Sequence, residues 1–185
     1  MEIFEFLQTI KIPVTIVHVI GVVFGMGGAL VSDVLFSFFS KDKELNQTEI
    51  STLSLLSSLV LYSLIIITVS GIFIFLSDTT KYLNSAKFLA KMSILVILLI
   101  NGYVLNKTVW PHLLNKNFFT EEKEKSTRKL AFACGAVSVI SWLSVCTLGI
   151  LDNLNMSYLL IISLYIVILL FGIIVSLFVE KNEFN

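Results

Sequence analysis

The chain has 185 residues, 56% of them hydrophobic and only 14% charged, with a mean hydropathy of +0.92 and a formal net charge of zero. A soluble domain carries about a quarter charged residues, so this composition excludes an ordinary water-soluble enzyme, and the neutral balance offers no basic field to nucleic acid. Five apolar stretches, at 12–39, 50–76, 86–109, 130–151 and 158–179, are each long enough to cross a hydrocarbon core of about 30 Å. The expectation is an all-α integral membrane protein: one bundle of about five transmembrane helices occupying residues 1–185, joined by short polar connections.

Glu2 and Glu5 stand where a secretory leader would be positive, and no small-residue cleavage site follows the first apolar run, so no signal peptide is expected. Ile3, Phe4, Phe6 and Leu7 read as a short amphipathic lead-in that ends at Pro13, the head of the first span.

The first span holds more than an anchor needs. His18, Gly21, Gly25, Gly28 and Ser32 recur at steps of three and four and form one narrow stripe. Small residues in such a stripe let a second backbone come close, the main source of helix association in lipid. A flat cofactor needs the same lack of side chains, and His18 heads the stripe. Asp33 is a second exception, because an ionisable side chain inside a span is costly and turns toward the interior, a partner or water. His18 and Asp33 are separated by about 22 Å of helix rise, too far to share a proton directly.

In the second span Ser54, Ser57 and Ser58 are positioned to hydrogen-bond near the depth of Asp33. The third span, parallel to the first, places Lys91 level with His18 and Asn106 level with Asp33, with Asn101 between them. This suggests two polar layers: His18, Lys91 and Met92 toward one face, Asp33 and Asn106 toward the other. Asn101 and Asn106 also read as interhelical glue, and Asp33 as a partner for Lys107 or Lys41. Trp110 and Pro111 mark the end of the third span, followed by His112 near the face opposite His18, so the two histidines cannot ligate one iron.

The segment 115–129 mixes charges and reads as a solvated loop extending the fourth span, available to anionic lipid. Cys134 and Cys146 lie about 18 Å apart along that span, too far to pair, and read as small buried residues. Ser138, Ser141 and Ser144 surround Trp142 and suggest interhelical hydrogen bonds. The fifth span is aliphatic between Leu159 and Val179 and is assigned packing or lipid contact alone.

Lys41, Lys43, Lys107, Lys116, Lys123, Lys125, Arg128, Lys129 and Lys181 fall on one side of a five-span protein; Lys11, Lys81, Lys87 and Lys91 fall on the other. The richer side is expected in the cytoplasm, with the N-terminus outside the cell membrane.

The stretch HVIGVVFGMGGALVSDVLF resembles the first membrane helix of the superfamily containing the bacterial membrane-bound protoporphyrinogen oxidases and the CopD copper-resistance proteins, and KFLAKMSILVILLINGYVLNK is similar to a later helix of that group. The resemblance covers the first and third spans. It implies haem b or another porphyrin as cofactor, with His18 the iron ligand, Lys91 the partner of a propionate, and Gly21 and Gly25 leaving room for the ring. Asp33 stands where the oxidase type has an arginine, and further histidines are missing.

Three functions follow. The first is a porphyrin-binding redox protein, in which His18 is the metal ligand and Lys91 and Asp33 the candidate catalytic residues. The second is a proton or copper-ion transporter or channel that uses Asp33, Asn101, Asn106 and His18. The third is a non-catalytic membrane subunit that meets a homo-oligomeric or different partner helix through Gly21, Gly25 and Gly28. No phosphate-cradling loop, paired-cysteine site or nucleophile elbow occurs.

Overall fold

The computed structural model describes residues 2–115, 118–151 and 155–184, with side chains from Glu5 onward. Lys116, counted toward charge asymmetry, and residues 152–154 of the last connection lie outside the described residues. Among the described residues the chain is all-helical, with no strand and five helices long and apolar enough to cross a membrane. They are α1 (Glu2–Phe39), α2 (Gln47–Ser77), α3 (Ala86–Val104, prolonged to Leu113), α4 (Lys125–Ile150) and α5 (Tyr158–Phe184). Large apolar side chains face outward on every one, among them Phe24, Leu55, Ile100, Leu143 and Phe171. Water would penalise such a surface, whereas hydrocarbon does not.

The boundaries differ from the sequence expectation at two prolines. α1 does not begin at Pro13; it runs through it without a break. Proline removes one backbone donor, and its fixed φ is already helical, so a long apolar helix absorbs it. α3 does not end at Trp110. Its ladder widens into a π-helical turn over Leu105–Val109, where the Trp110 N–H donates to the Leu105 carbonyl, and a further turn, Trp110–Leu113, follows. The widened turn shifts the register just ahead of Pro111, whose ring would otherwise crowd the preceding turn.

α1 and α2 form an antiparallel hairpin, and α3, α4 and α5 form a second group. The hairpin turn places Lys43 in left-handed backbone (φ 58°). Asn46 then starts α2 with a reciprocal cap: its side chain accepts from Glu49 N at 2.9 Å, and its own N–H donates to Glu49 Oε2 at 2.8 Å. At the opposite end Gln8 Nε2 donates to the Ser77 carbonyl at 2.6 Å, tying the hairpin shut.

The two groups meet along α1 and α4. Trp142 of α4, 2% exposed, joins Ala29 of α1, Leu64 and Ile67 of α2 and Leu98 of α3 in one buried cluster. A β-carbon at Gly25 would lie 2.6 Å from Trp142 Cη2, so the glycine is the socket for the indole. Gly21 and Gly28 let α2 approach: added β-carbons would meet Ile67 at 3.0 Å and Val60 at 3.2 Å. The small-residue stripe of α1 is thus filled from within the chain.

The 115–129 segment departs most from expectation. Its described part is solvated at Glu122, Lys123 and Lys129 and turns inward at Phe118, Phe119 and Arg128. Phe118 and Phe119 are 1% and 3% exposed and pack with Val109, Leu113 and Ala131. Beneath them Arg128 Nε donates to Glu180 Oε1 at 2.7 Å, and Arg128 Nη1 donates to the Phe119 carbonyl at 3.0 Å. Both charged side chains are sealed, at 3% and 1% exposure. Two apolar rings, an arginine inside the turn and a counter-ion on α5 fold this connection under the bundle.

Candidate functional site

The polar residues of α1 do not form two layers shared with α3. Each meets a different neighbour, because α1 lies against α2 and α4 rather than α3.

His18 turns toward α2, with Nδ1 2.9 Å from Ser70 Oγ. The Ser70 hydroxyl is 2.6 Å from the Ile66 carbonyl, and Gly71 lies beside the imidazole, where a β-carbon would be 3.5 Å from its Cε1. Lys91 lies within electrostatic reach of His18. The hydrogen-bond partner of His18 is Ser70 of α2 rather than a residue of α3. Met92 is exposed. The faces of Gly21 and Gly25 beyond His18 are taken up by Ile66, Ile67 and Trp142, which leaves no slot for a flat ring there.

Asp33 turns toward α4. Its Oδ1 would be 3.3 Å from a β-carbon on Gly135, so the carboxyl lies over that glycine. Its Oδ2 is buried and has no hydrogen-bond partner among the described residues. The bases proposed for it are engaged elsewhere: Lys107 Nζ donates to Tyr103 Oη at 2.8 Å, and Lys41 sits over the Phe38 ring. Asn106 does not reach Asp33 either. It is exposed, donates to the Gly102 carbonyl at 3.1 Å, and lies 3.4 Å from Ser57 Oγ. Ser58 Oγ donates back to the Ser54 carbonyl within α2. Asn101, 7% exposed, donates to the Cys134 carbonyl at 3.0 Å and joins α3 to α4 as interhelical glue. Ser32 is half-buried.

Asp33 opens onto a groove of about 360 Å³ between α1, α4 and α5, walled by Phe36, Phe132, Val139, Phe171 and Val175. Gly135 and Ala136 line its floor, Ile140 packs onto Gly172, and Phe171 and Val175, both exposed, form its outer lip. Ser176 at its rim donates to the Phe132 carbonyl at 2.5 Å. This is a carboxyl in an apolar trough, not a metal centre: among the described residues no three His, Cys, Asp or Glu side chains gather.

α5 carries more than packing. Tyr165, 3% exposed, lies 2.9 Å from Ser141 Oγ, and Glu180 holds Arg128. Glu180 had a visible signal in the sequence, the acid that closes an apolar run at the end rich in basic residues. His112 also has an acidic partner, Glu124 Oε2 at 2.7 Å, with Asn115 Nδ2 3.3 Å from the other carboxylate oxygen.

Among the described residues the chain is a bundle of five long helices, each long and apolar enough to cross a membrane, with a buried carboxyl oxygen on Asp33 that has no hydrogen-bond partner. No protein-family model, curated protein or solved structure matches it.

Proposed function

We propose that the protein is a multi-pass protein of the cell membrane, N-terminus outside and C-terminus in the cytoplasm, and a proton-coupled transporter in which Asp33 carries the proton. The observation behind this reading is the buried, unpartnered Oδ2 of Asp33 at an apolar groove. An ionised carboxylate without a partner is expensive in such surroundings, so the resting group is the neutral acid. Its charge is tolerated only when a cation comes alongside. A carboxyl that exchanges a proton for a cation is the minimum equipment of proton-coupled transport. Orientation rests on the Lys and Arg asymmetry of the connections.

The test uses purified protein in proteoliposomes with a pH-sensitive dye inside. Under an imposed gradient of a monovalent cation (potassium, sodium or a quaternary ammonium), counter-directed proton flux is expected from the natural chain and none above protein-free vesicles from Asp33→Asn, with His18→Ala retaining flux. Undiminished flux in Asp33→Asn overturns the proposal.

Porphyrin binding at His18 is the second reading, favoured by Gly71, which lies beside the imidazole. It requires Ile66 and Ile67 to withdraw from Gly21. Protein purified from haem-replete cells would then show a Soret band that His18→Ala removes; a colourless preparation rejects it.

A further inference from the structure

Building on the reading of Asp33 as the proton-carrying group, we infer that the groove between α1, α4 and α5 binds lipophilic monocations, quaternary ammonium or phosphonium ions with apolar arms. Its volume of about 360 Å³ falls in the range of small-molecule pockets, about 300–1,000 Å³. Its chemistry narrows the occupant. Anions are repelled by the carboxylate. A neutral hydrocarbon, such as a lipid tail, leaves Oδ2 unpaired. A small inorganic cation would lose its water shell and receive one carboxyl and little else in return, since the Ser176 hydroxyl is already committed to the Phe132 carbonyl. A cation whose charge is buried in apolar substituents has little hydration to lose. Such a cation gains the carboxylate together with the aromatic lining of Phe36, Phe132 and Phe171, rings of the kind that attract positive charge. The exposed lip at Phe171 and Val175 admits it from the hydrocarbon side.

Binding exchanges charge for charge: the O–H bond of the neutral Asp33 acid breaks, the proton leaves to water, and the carboxylate pairs with the incoming cation. Of the titratable groups on the elements packed against Asp33, Cys134 on α4 interacts with it; Arg128 of α4 and Glu180 of α5 are locked to each other, Tyr165 is held by Ser141, and Lys129, Lys181 and Glu183 are exposed at the helix ends. Asp33 is therefore the group whose proton the ligand displaces.

The experiment is tetraphenylphosphonium binding to the full chain in detergent, by calorimetry in two buffers of different ionisation heat, at a weakly acidic and a weakly alkaline pH. The expected result is saturable binding, release of about one proton per cation at the lower pH, and affinity that rises with pH up to a plateau. Asp33→Asn should abolish it, Asp33→Glu should keep it, and Ala136→Phe, which adds bulk to the groove and leaves the acid in the sequence, should weaken it about tenfold or more. No binding, or equal binding by the natural chain and by Asp33→Asn, overturns the inference. Asp33-dependent proton flux without phosphonium binding overturns it too, and leaves the transport reading standing. Asp33-dependent binding without flux supports it while the transport reading falls.

Discussion

Replacing Glu180 with alanine is expected to destabilise the folded protein by about 3–5 kcal/mol, because it strands a buried guanidinium without its counter-ion. Arg128 and Glu180 are 3% and 1% exposed and joined at 2.7 Å, while Arg128 Nη1 also holds the Phe119 carbonyl. The salt bridge itself is a poor measure of stability, since burying both ions cancels most of their attraction. The loss lies in the unpaired charge that remains. Unfolding in detergent against added dodecyl sulfate should therefore show a large fall for Glu180→Ala and for Arg128→Ala. The double change Arg128→Met with Glu180→Leu should recover most of it. If Glu180→Ala alone unfolds like the natural chain, the pair is not buried as described.

The second large effect is expected at Gly25. Overfilling a packed interior costs about 1–3 kcal/mol or more, and here the obstacle is a rigid ring. A β-carbon would lie 2.6 Å from Trp142 Cη2 and 3.2 Å from Ser63 Cβ, so neither side has room to give. Gly25→Leu should separate the α1–α2 hairpin from α4, lowering the unfolding midpoint and exposing Trp142, whose fluorescence would become sensitive to lipid-soluble quenchers. Trp142→Ala in the same chain should restore part of the stability by vacating the socket. Gly27, where an added β-carbon meets nothing within 4 Å, is the control, and Gly27→Leu should be tolerated.

Much of this architecture is legible in the sequence. Five apolar runs locate five helices, because runs of about twenty apolar residues favour a conformation that satisfies its own backbone hydrogen bonds. The glycine stripe of α1 announces a close neighbour. It does not say which one: Gly21 and Gly28 take α2, while Gly25 takes Trp142, and a socket cannot be matched to its knob by spacing along one helix. The same limit explains the polar layers. Matching Asp33 with Asn106 by depth assumed that α1 faces α3. Depth is set by helix rise, but facing is set by packing, which put Gly135 against Asp33 and Ser57 against Asn106. The 115–129 segment misled for a different reason. Its Lys and Glu residues suggest a solvated loop, and Lys123 and Lys125 do pair with Glu121 and Glu122 at the surface. Its two phenylalanines and Arg128 turn inward, and the counter-ion that permits this sits 52 residues further on.

The rest of Asp33's surroundings is supplied by a helix made much later. About a hundred residues separate Asp33 from Gly135, so at roughly 5–20 residues per second the carboxyl waits some 5–20 s for α4 during synthesis. In that interval α1 and α2 can already close as a hairpin whose α4-facing side carries an acid without its later neighbour; on the transport reading, the carboxyl proposed to move protons is one whose surroundings are completed only late in synthesis.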